Sequence, residues 1–132
     1  MLTVKTIIET VFEKWSSAVS EKLGDNYSME NSETVSKLPY ASLYFMGLPN
    51  GASVLDGGES AVTPTVQVDI YTTGQRALTS AYEIDELSHS ALLEMHFRRT
   101  TGPELIQSAD PSIKRLTSRY TRVCGYGDSF PE

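Results

Sequence analysis

One cysteine, Cys124, is all that the 132 residues contain, so no disulfide can form within the chain. A lone thiol with no CxxC spacing fits a reducing compartment and a half-buried strand position better than a nucleophile. Histidine is nearly as scarce, with only His89 and His96. No apolar run approaches the ~18–20 residues of a membrane span, and the opening stretch Met1-Leu2-Thr3-Val4-Lys5 lacks a signal-peptide core. Positive charge is also short: eleven Lys and Arg stand against seventeen Asp and Glu, a net charge of −6. That balance argues against a grip on nucleic acid, which needs surplus cations to neutralise phosphates. The motifs GxSxG, HExxH and GxGxxG are absent, which removes three familiar catalytic or cofactor-binding frames.

What remains is ordinary globular material. Hydrophobic residues make up 39% and charged residues 21%. The length matches one domain spanning residues 1–132, able to bury a core without a disulfide or metal staple. The expectation is a small, acidic, soluble intracellular domain.

Apolar residues Val4, Ile7, Ile8, Val11, Phe12, Trp15, Ala18, Val19 and Leu23 recur at spacings of three and four. They predict a helix over Thr3–Leu23, stopped by Gly24. The polar stretch Tyr27–Lys37 reads as loop or edge, and a strand follows at about Tyr40–Leu48 between Pro39 and Pro49. Residues 49–60 are glycine-rich and longer than a median connection, so they read as a flexible loop. Val66, Val68 and Ile70 alternate with Gln67, Asp69 and Tyr71, the pattern of a half-buried strand. Thr72-Thr73-Gly74 offers a threonine cap for a second helix over Gln75–His96. Phe97–Gln107 looks extended and broken at Gly102-Pro103. A last strand runs over about Ile113–Cys124, and residues 125–132 form an irregular tail. The order α-β-β-α-β-β predicts an α+β fold: a mostly antiparallel sheet of about four strands with two helices on one face.

Little chemistry is available on this frame. His89 and His96 lie seven apart, about 10 Å along a helix, too far to share a metal. Asp85 and His89 are four apart and could hydrogen-bond, but no nucleophile stands beside them in a motif. Asp56-Gly57-Gly58-Glu59-Ser60 is no phosphate cradle, because no lysine follows the glycines and the acids would repel an anion. It also lacks the regular oxygen ladder of a calcium loop. The expectation is no catalytic residue, no metal, no cofactor and no enzyme.

Charge distribution says more. Residues 1–75 carry −5 and residues 76–97 carry −3, whereas residues 98–122 carry +4 through Arg98, Arg99, Lys114, Arg115, Arg119 and Arg122. Copies of such a polarised molecule could meet head to tail; alternatively the arginines form a solvated face or pair within the monomer. On a strand, Arg115 and Arg119 share one face while Leu116 and Tyr120 share the other. Asp69 is a candidate acceptor for these arginines, within or between subunits.

Val66-Gln67-Val68-Asp69-Ile70-Tyr71, a helix beginning near Arg76-Ala77, Phe97-Arg98-Arg99, Asp110-Pro111-Ser112-Ile113-Lys114-Arg115 and Ser118-Arg119-Tyr120 follow in that order. This succession resembles the tail terminator (tail completion, head–tail joining) proteins of long, non-contractile-tailed bacteriophages, over Val62–Val123. One departure is His96, where such proteins often carry a glycine before the aromatic that follows the second helix. The resemblance implies a structural virion protein, assembled in the host cytoplasm, that forms a hexameric ring on the head-proximal end of the tail tube. Its implied partners are its own copies, the tail tube protein and the head connector or stopper protein, with DNA passing through an acidic ring without specific binding. A chain monomeric in isolation is compatible with this, since a tube can template the ring. On this reading Asp69, Tyr71, Arg115, Arg119 and Tyr120 are candidate subunit or partner contacts. Asn50, Gly51, Leu55, Asp56, Gly57, Gly58 and Glu59 are candidate tube-contacting loop residues. The alternatives are a head-completion or connector-stopper protein, and a non-phage ligand-binding or regulatory module.

Overall fold

Ile7, Val11, Trp15, Val19 and Leu23 form one buried stripe along helix α1, Val4–Leu23. The helix ends where Gly24 takes a left-handed φ of 61° and its N–H bonds Ser20 O at 2.9 Å, as the sequence predicts. The computed structural model describes residues 4–29, 37–46, 61–107 and 110–125. After α1 come β1 (Tyr27–Ser28), β2 (Tyr40–Met46), β3 (Ala61–Val62), β4 (Thr65–Thr73), α2 (Ala77–Glu94), β5 (Arg98–Ile106), β6 (Ile113–Thr121) and β7 (Cys124–Gly125).

The fold is α+β, with more strands and a more mixed sheet than expected. Among the described residues five strands lie in the order β1-β2-β4-β6-β5, and β3 pairs with β7 in a separate two-stranded ribbon. Every neighbour pairing in the main sheet is antiparallel except β1 with β2, which is parallel. The stretch read as loop or edge thus supplies the short edge strand β1. Strands β4 and β5 run the same way with β6 inserted between them, a split β-α-β unit whose crossover is α2.

Both helices cover one face and touch each other. Beneath them lie Ala41 and Leu43 from β2, Val66, Val68 and Ile70 from β4, and Leu116 and Tyr120 from β6, all buried. Trp15 sits at the centre of this core, edge-on to Tyr27 and donating from Nε1 to Ser88 Oγ of α2 at 2.8 Å.

Several local expectations are corrected. Strand β4 is buried on both faces: Gln67 and Asp69 are 6% and 0% exposed, because β4 is central and polar side chains of its neighbours close over the face away from the helices. Neither threonine caps α2. Strand β4 runs on to Thr73, and Thr72 Oγ1 donates to Ala77 O at 2.6 Å, while Arg76 occupies the N-cap position without a side-chain bond. Strand β5 passes unbroken through Gly102-Pro103, absorbing register shifts between Arg99 and Thr101 and between Thr101 and Glu104. Proline's missing N–H is tolerated there because β5 is an edge strand. The last predicted strand divides into β6 and β7, so Gly125 is strand rather than irregular tail.

His96 forms the turn that ends α2. It adopts φ 63° itself, its N–H bonding Leu93 O at 2.9 Å while Phe97 N–H bonds Leu92 O at 3.0 Å. This is a Schellman end with a histidine in the glycine position, sealed by buried Phe97 and Leu92. The loop 49–60 and residues 126–132 lie outside the described residues.

Candidate functional site

Two polar networks flank strand β6, one on each face of the sheet. The helix-side network begins with Asp85, the one charged residue on the buried stripe of α2. A charge there needs a partner, and β5 supplies it: Arg99 Nη2 lies 2.9 and 3.0 Å from the two Asp85 oxygens. The same guanidinium donates to Tyr120 Oη from Nε (2.9 Å) and Nη2 (2.6 Å) and lies over the Tyr120 ring, 5.2 Å from its centre. Tyr120 Oη is also 2.9 Å from His89 Nδ1. The pattern that satisfies all three groups has the tyrosine accepting from Arg99 and donating to a neutral imidazole.

Electrostatics agree with that assignment. Burial, and then the Arg99 charge, hold His89 below its ordinary value, against an opposing pull from Asp85. Burial pushes the Tyr120 hydroxyl up to about 12, with Arg99 pulling it back. The Asp85–His89 hydrogen bond that their spacing allows is not made. Asp85 turns to Arg99 and, at 3.5 Å, to Ser118 Oγ, while His89 turns to Tyr120.

The second network lies on the open face. Asp69, fully buried, accepts from Thr117 Oγ1 (2.7 Å), Tyr44 Oη (3.1 Å), Gln67 Nε2 (3.2 Å) and Arg115 Nη2 (3.3 Å). Arg115 stacks over Tyr71, 5.7 Å from the ring centre, and its buried Nε has no hydrogen-bond partner among the described residues. Arg119 Nε donates to Gln67 Oε1 at 3.0 Å. Burial first, then the Asp69 charge, raise Tyr44 to about 12 and raise Tyr71 as well.

Both arrangements fix surfaces together. Asp85, Arg99 and Tyr120 pin α2 to the sheet, and Asp69 ties β2, β4 and β6 across the far face. Among the described residues no cluster of three His, Cys, Asp or Glu could hold a metal. Among the described residues no helix is long and apolar enough to cross a membrane.

No protein-family model matches the chain, and no curated protein does.

The structure therefore places the candidate contacts on its own evidence. Arg115 and Arg119 do face away from the helices, and Leu116 and Tyr120 face toward them, as the strand period requires. Asp69 takes Arg115 within the same chain. Asp69 and Tyr120 are both 0% exposed, in the interior of the single chain. Tyr71, Arg115 and Arg119 keep exposed area. The candidate loop residues Asn50 to Glu59 lie outside the described residues.

What the sequence reading missed is the Asp85–Arg99–Tyr120–His89 network. Its signal was present: a lone acid between Ala81, Ile84 and Ser88 on a buried helical stripe calls for a cation brought from elsewhere.

The surface has two further features. A groove of about 560 Å³ runs between the outer faces of α1 and α2, with Ala18, Leu87 and Ala91 in its lining and Glu13, Glu21 and Glu94 around them. On the other side of α2, Leu78, Tyr82 and Leu93 are 41–48% exposed, and Leu105 of β5 is 53% exposed.

Proposed function

We propose that this chain is a structural phage or prophage tail terminator, which caps the head-proximal end of the tail tube as a ring and joins it to the head connector. The observation that carries the reading is strand β5. Nine residues long, it has a strand partner on only one side among the described residues, and it lies in the most basic segment of an acidic chain. An unpaired edge of that length invites another chain unless it is covered. The succession of motifs from Val62 to Val123 supports the same reading.

On this reading the work is done by binding energy. Copies meet through the basic hairpin of β5 and β6, and the net charge of −6 per chain makes a ring that repels rather than holds the DNA passing through it. The segment Asn50 to Glu59 contacts the tube. The protein resides in the virion, at the head-proximal end of the tail.

Electron microscopy of lysates made without the protein tests this. Overlong tails detached from heads are expected, with normal particles on its return. Leaky heads with normal tails would move the chain to a head-completion role, and normal particles throughout would end the proposal. Deleting Gly51 to Gly58 is expected to weaken capping; tails of normal length from that variant would remove the loop from the contact.

A further inference from the structure

We draw no further inference here: the strongest candidate, the exposed apolar patch of Leu78, Tyr82 and Leu93 on α2 with Leu105 on the edge strand β5, carries none, because nothing in the structure shows what covers it.

Discussion

Arg99 and Asp85 meet across the junction of helix and sheet at 2.9 Å, their side chains only 18% and 9% exposed. The pair joins the crossover helix α2 to the edge strand β5, and Tyr120 and His89 complete it.

Removing one member leaves the other charge stranded. Asp85→Leu is expected to destabilise the fold by about 3 kcal/mol, the lower end for a buried pair because Arg99 keeps some solvent contact. The double variant Asp85→Leu, Arg99→Met is expected to recover much of that loss, since neither charge then needs a partner. Urea unfolding of the two singles and the double checks this; additive losses would show that the two residues act independently.

Acid should loosen the same junction. His89 is held below its ordinary value of 6.5 in the folded state, so the unfolded chain binds a proton first as the pH falls. The neutral imidazole's contribution is fully present above 6.5 and is lost as pH drops from there toward the depressed folded value. His89→Gln is expected to flatten the melting temperature against pH in that window.

The alkaline side has the opposite sign. Tyr44 and Tyr120 stay protonated up to about 12 when folded, against 10 in the unfolded chain. Their contribution holds below pH 10 and is lost between 10 and 12. Tyrosinate absorbance on titration is expected to rise late for these two groups, and Tyr120→Phe should remove one late step.

Backbone positions give a matched pair of tests. His96 stands at φ 63°, where glycine carries no steric penalty, so His96→Gly is expected to stabilise by roughly 0.5 kcal/mol after the added freedom of the unfolded chain is counted. Gly102 is the reverse. Its φ is 93°, and an added Cβ would sit 2.5 Å from Thr117 O and 2.9 Å from Ser118 Cα, backbone atoms that cannot swing aside. Gly102→Ala is expected to cost about 2 kcal/mol or more. Thermal melts of both variants check the two signs.

Periodicity alone determined α1, the strand at Val66–Tyr71 and the two faces of β6, because a repeat of 3.6 or 2 assigns each side chain a direction before any partner is known. It also identified Asp69 as an acceptor for the arginines. Only the tertiary structure decided that the acceptor's arginine belongs to the same chain, that β4 is buried on both faces, and that β1 pairs in parallel with β2. Those outcomes depend on which strand lies beside which, and sheet order is set by packing across distant parts of the chain. Asp85 shows the division most clearly. Its spacing from His89 allowed a local bond, but Arg99, fourteen residues away on another element, offered an opposite charge in a half-dry interior, and that stronger pairing prevailed.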